Sequence, residues 1–167
     1  IVKGKRMTFF DVFRIIEKVK LSGYIMVANS DIFFNGSLIN VYKSNLIYKK
    51  KIFSLLRNEY NKNNIRDKQL FYKGYNWSSD CWIFHTNNLK YIKNLTKFNI
   101  EIGVGGVDNI IPYYFYINNF EIFNEPLFIQ IFHNHHNNYR TWDANKLIKD
   151  EKNYLSCVPN INNKFIL

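Results

Sequence analysis

The stretch from Thr8 to Asp31 constrains the fold more than any other part of the chain. Thr8 and Asp11 have the spacing of a capping box, and Phe9, Val12, Phe13, Ile15, Ile16 and Val19 recur at helical intervals. Gly23 stands where a helix C-terminal glycine would. An amphipathic helix over 8–22 therefore hands the chain to an apolar run, "YIMVA" over 24–28, which reads as a buried strand. The run stops at Asn29-Ser30-Asp31. A helix feeding a strand that ends in polar residues is an α/β signature, so the expected fold class is α/β.

The rest of the chain continues in short pieces. Residues 37–45 have the pattern of a short helix, and Lys51–Leu56 that of a strand. Asn58–Lys68 is polar and rich in Asn, the composition of a loop. Cys81–Phe84 reads as a short strand. "GVGGVDN", residues 103–109, is a glycine loop leading into an apolar helix over Ile110–Ile117, followed by short strands at Glu121–Phe123 and Phe128–Phe132. The tail from Lys146 has little pattern, and no internal repeat or second domain is visible, so 1–167 reads as one domain.

Composition narrows the class of partner. Apolar residues make up 47% and aromatics 18%, which excludes a disordered chain. Net charge is +10, from 23 Lys+Arg against 13 Asp+Glu, a balance that favours nucleic acid, phosphorylated small molecules or an anionic membrane. The abundance of Asn, Ile and Lys also fits an AT-rich coding sequence, and no basic run is longer than Lys49-Lys50-Lys51. Only Cys81 and Cys157 occur, without framework spacing, which fits a reducing compartment. No segment approaches the roughly 18 uninterrupted apolar residues of a membrane span.

Four constellations have the residue types that chemistry needs. At Asn29-Ser30-Asp31, a carboxylate at the carboxyl end of a strand can hold Mg²⁺ or Mn²⁺, hard cations that share oxygen ligands with phosphates. The same trio is also ordinary turn chemistry. At Ser78-Ser79-Asp80 an acid adjoins the strand "CWIF", where Trp82 is either a face for a sugar or base, or a core residue. Asp108, after the glycine loop, is either a helix cap or a poised base. In "HNHHNNYR", His133 and His135 on a strand would share one face as a metal pair, and Arg140 can fork onto a diphosphate. A surface histidine cluster in an Asn-rich loop is the alternative.

Taken in order, "ANSDIFF", "LLRNEY", "SSDCWIF", "GVGGVDN" and "HNHHNNYR" resemble the successive motifs of a GT-A-like glycosyltransferase family found in large DNA viruses and bacteria. The resemblance spans about residues 5–142. It implies a GT-A-like, Rossmann-like mixed sheet flanked by helices, and transfer of a sugar from a UDP- or GDP-linked donor to a glycan, protein or lipid hydroxyl with Mn²⁺ or Mg²⁺ as cofactor. On that resemblance Asn29, Ser30 and Asp31 form the rim of the donor site, and Asp31 is a metal ligand completed by His133 or His135. Asp108 and Asp80 are the catalytic acids, Asp108 deprotonating the acceptor, while Asp80, Arg57 and Arg140 contact the donor sugar or its phosphates.

Departures from the family pattern are Asn29 for the first Asp of D-x-D, Ser79 where Gln is common and Val107 where Cys is common. GT-A folds also begin with base-binding strands that would precede Ile1, so the expectation is a domain lacking them, either a piece of a longer chain or a trimmed version. Two other classes stay open: a degenerate, non-catalytic sugar- or protein-binding module of the same fold, and a basic nucleic-acid-binding domain. The dispersed lysines argue against the latter, which needs basic and exposed aromatic residues gathered on one face.

Overall fold

The computed structural model describes residues 4, 6–59, 78–133, 148 and 151–160, and the chain is a mixed α/β fold. Helix α1 (Phe9–Lys18) begins with the expected capping box: Asp11 N–H donates to Thr8 Oγ1 at 3.0 Å, and Thr8 N–H donates to Asp11 Oδ2 at 3.0 Å. Phe9, Phe13 and Ile16 form its buried stripe. The helix ends four residues short of the expected boundary. Lys20 takes a left-handed conformation (φ 53), with Lys20 N–H on Glu17 O and Leu21 N–H on Ile16 O, which together make a Schellman termination. Gly23 (φ 134) instead belongs to the turn into the first strand.

Strand β1 (Tyr24–Ala28) has the expected bounds but is an edge strand, with only Val27 buried, so "buried" holds for one face alone. The sequence continues through β2 (Ile32–Phe34), a 3₁₀ helix over Gly36–Lys43, β3 (Lys51–Leu55), β4 (Asn58–Glu59) and β5 (Cys81–His85). Helix α2 (Val107–Tyr116), β6 (Glu121–Phe123) and β7 (Ile131–His133) complete the main elements. The last strand lies later than the expected 128–132, because Phe128 and Ile129 N–H both bond Glu125 O and close a turn there.

The main sheet has the order β1-β5-β3-β6, antiparallel except for the parallel β3–β6 pair. A smaller sheet, β2-β7-β4, pairs β2 with β7 antiparallel and β4 with β7 parallel. The central strands β3 and β5 are buried at every position, which is why both read as mainly apolar runs, with Lys51, Ser54 and His85 the buried exceptions. Alternate side chains serve two cores. Ile52, Trp82 and Phe84 pack against α1 and α2, while Phe53, Leu55 and Ile83 pack toward the smaller sheet. Trp82 is fully buried with Phe9 edge-on at 5.1 Å, so its ring is core and cannot be a stacking face for a ligand.

Candidate functional site

The register of the main sheet decides which loops meet. Ala28 and Leu55 are both partners of Cys81, so the segments after β1 and β3 converge on the segment before β5. Asn29 N–H bonds Asp80 O at 3.1 Å and Asp80 N–H bonds Leu55 O at 3.0 Å, fixing Asp80 between the two strand ends. Ile32 N–H bonds Asn29 O at 3.1 Å, so the Asn29-Ser30-Asp31 trio is indeed a β-turn. Ser30 is exposed at its tip, while Asn29 points back to the acids.

Asp80 is the hub. Its Oδ1 accepts from Arg57 Nη1 at 2.8 Å and from Asn29 Nδ2 at 3.1 Å, and its Oδ2 lies 3.4 Å from Ser78 Oγ. Arg57 is held in turn from behind, since Leu56 N–H bonds the buried Asn124 Oδ1 at 2.9 Å and Asn124 Nδ2 bonds Cys157 O at 2.7 Å. Burial raises the Asp80 carboxyl above its ordinary range, with Arg57, Asn29 and His133 acting against it.

Asp108 comes to the same hydroxyl from the other side. Helix α2 starts three residues before the expected Ile110, with Gly106 as its N-cap (φ 91), so Asp108 sits inside the first turn and caps nothing. Its Oδ2 is 3.5 Å from Ser78 Oγ. Burial first, and then the charge of Asp80, push this carboxyl up to about 8, while Arg57, Ser78 and the Ser79 backbone oppose the shift. Ser78 Oγ is thus within reach of both acids, and its one proton can go to only one of them at a time.

The expected metal residues divide. His133 lies opposite Ile32 in the β2–β7 ladder, which puts its Nε2 at 2.9 Å from Asp31 Oδ2. His135 and Arg140 lie outside the described residues. Among the described residues there is no group of three or more His, Cys, Asp or Glu that could hold a metal ion. The 2.9 Å contact between Asp31 and His133 is a hydrogen-bonded pair that ties the turn after β1 to β7.

The glycine loop serves the protein before any ligand. A Cβ on Gly106 would stand 2.9 Å from Tyr154 Oη and 3.0 Å from Ile148 O, because the segment carrying Ile148 and Tyr154 crosses the start of α2. That segment is tied down by Ile148 N–H on Gly105 O and Leu155 N–H on Asn109 O. Gly103 is the member that faces the site: its carbonyl accepts from Arg6 Nη1 at 2.8 Å, and a Cβ there would lie 3.8 Å from Asn29 Oδ1. That Asn29 oxygen is a buried acceptor without a hydrogen-bond partner.

Three contributors carried no role in the sequence. Ser78 links the acids, Asn124 fixes the residue before Arg57, and Ser54 bonds Ser79 at 2.8 Å beneath them. The one available signal was Ser54, a hydroxyl in the middle of the otherwise apolar run "IFSLL". Comparison with protein-family models, with curated proteins and with solved structures finds no match in any of the three.

Proposed function

We propose that this edge of the sheet is the donor site of a GT-A-like, metal-assisted glycosyltransferase that moves a sugar from a UDP- or GDP-linked donor to an acceptor hydroxyl. The observation that carries the proposal is the convergence of four separated motifs. Asn29 and Arg57 meet on Asp80, and Ser78 joins Asp80 to Asp108, at the end of β1 and β3 beside the Asp31–His133 pair. Ligand sites in open α/β sheets collect at such strand ends.

Asp31 and His133 would hold Mn²⁺ or Mg²⁺, which when bound neutralises charge on a departing diphosphate. Asp108 takes the proton of the acceptor hydroxyl once it has lost its own, so transfer should rise with pH through about 8. Asp80 holds Arg57 and keeps the neighbouring acid's proton affinity high, so its part is positioning. Arg57 lends positive charge to the donor side of the cluster.

One observation favours the competing reading, a sugar-binding module without turnover: Arg57 and Asp80 already pair at 2.8 Å, so a donor phosphate must compete for the guanidinium. Turnover decides between them. Incubated with UDP- and GDP-sugars and Mn²⁺, the protein should release free UDP or GDP, and Asp31→Ala should abolish release while keeping the circular dichroism spectrum. Donor binding without release from any of these donors would favour the binding module, and release unaffected by Asp31→Ala would remove the metal assignment.

A further inference from the structure

The opposite end of the main sheet has a different chemistry, and contacts between segments show that it is one surface. The groove beside the C-terminal end of α1 is lined by Lys20, Leu21, Thr86 and Lys90. Lys50 Nζ stands 4.4 Å and Lys90 Nζ 5.2 Å from the centre of the Tyr91 ring. Lys93 N–H bonds Asn118 Oδ1 at 2.9 Å, which brings in the end of α2, and Glu121 N–H bonds Lys50 O at 2.8 Å.

Two properties coincide there. Lys20, Lys49, Lys50, Lys90 and Lys93 face only Glu17 and Glu121 as counter-charges on these same segments. Among the lysines stand aliphatic side chains left in water: Val19 is 57% exposed, Leu21 48% and Ile117 40%. Tyr48, next to Lys49 in the chain, adds an amphipathic ring at 81% exposure.

We propose that this end of the molecule docks on an anionic membrane surface, with the lysines on lipid phosphates and the aliphatic and tyrosine side chains at the headgroup–acyl boundary. Charge complementarity selects an anionic partner. The aliphatic residues select a bilayer over a nucleic acid, because Val19, Leu21 and Ile117 gain nothing from phosphates yet gain transfer energy at the acyl boundary. Tyr91 points the same way: its ring already has two ammonium groups close to it, whereas a base-stacking platform needs an open face. Tyrosines are at home at the interface itself. Docked in this way, the protein would hold the Asp80–Asp108 edge away from the lipid, open to water-soluble ligands.

Co-sedimentation with vesicles tests this on the purified chain. The expected result is binding to phosphatidylcholine vesicles containing about a third phosphatidylserine, no binding to pure phosphatidylcholine, and weakening with salt. The triple variant Lys50→Gln, Lys90→Gln, Lys93→Gln should bind on the order of 100-fold more weakly. Val19→Ser with Leu21→Ser should lose on the order of 10-fold, with circular dichroism confirming that both variants are folded. No binding to the anionic vesicles at low salt would overturn the proposal, as would wild-type binding by the lysine variant. Full binding by the Val19/Leu21 variant, with displacement by a single-stranded oligonucleotide, would overturn it in favour of a nucleic-acid surface.

Discussion

The two ends of the main sheet are built from the same strands and behave as different materials. Where β1 and β3 finish, Asp80, Asn124 and Ser79 are buried, with Asp80 held by Arg57 and Asn29, Ser79 by Ser54, and Asn124 by Leu56 N–H and Cys157 O. Where those strands begin, Lys49, Lys90 and Lys93 are exposed and Leu21 and Val19 lie in water. Net charge of +10 therefore says little about the candidate site, which is built around carboxylates and burial. A buried polar cluster ties chemistry to stability, because each group that is removed strands a partner, whereas an exposed patch can change its affinity without changing the fold.

That contrast can be broken by mutation, and the largest effect belongs to the hub. Asp80→Ala leaves the Arg57 guanidinium without its carboxylate in a site where the two side chains are 15% and 6% exposed. The expected loss is on the order of 3 kcal/mol in urea unfolding. A loss below about 0.5 kcal/mol, the scale of an exposed pair, would erase the distinction between the two ends.

Next is pH. The folded chain holds the Asp108 proton more tightly than the unfolded chain does, so this group's contribution is fully present below its ordinary 3.8 and is lost as pH rises through about 8. Stability should fall across that window. Asp108→Asn should flatten the fall and exceed the parent by on the order of 2 kcal/mol above pH 8. Parallel pH profiles for the two proteins would show that Asp108 ionises as a solvated acid.

A smaller effect separates two glycines of one loop. Gly106→Ala meets both a left-handed backbone (φ 91) and Tyr154 Oη at 2.9 Å, whereas Gly103→Ala meets only the backbone (φ 78) with no atom nearer than 3.8 Å. The expected costs are about 2 and about 1 kcal/mol. Equal costs would mean that the segment through Tyr154 does not press on the start of α2. Smallest of all, Lys90→Gln at the far end should shift stability by less than about 0.5 kcal/mol. A larger shift would give the lysine patch a structural role.

What was legible in the sequence follows the range of the interaction. The Thr8–Asp11 box spans three residues and was read correctly, as were β3 and β5, whose burial on both faces leaves a mainly apolar signature. The end of α1 was misplaced because Lys20, with no glycine to advertise it, takes the left-handed position. The start of α2 was misplaced because its N-cap is Gly106, left-handed (φ 91) and with no capping side chain to announce it. At the site, local motifs marked Asn29, Asp31, Asp80 and Asp108, but a link such as Ser78 to Asp108, 30 residues apart, is set by sheet register and helix placement. Trp82 offered two readings until its neighbours in space, Phe9 above all, assigned it to the core.

The central claim is that the Asp31–Asp80–Asp108 edge is a live donor site, and thermal stability against nucleotide tests it most directly. UDP, GDP and their sugars, each with and without Mn²⁺, should include one nucleotide that raises Tm only when the metal is present, since a ligand of the native state stabilises by mass action. Asp31→Ala should abolish that rise. No shift with any nucleotide–metal pair in a folded sample, or a shift that survives Asp31→Ala unchanged, would contradict the account.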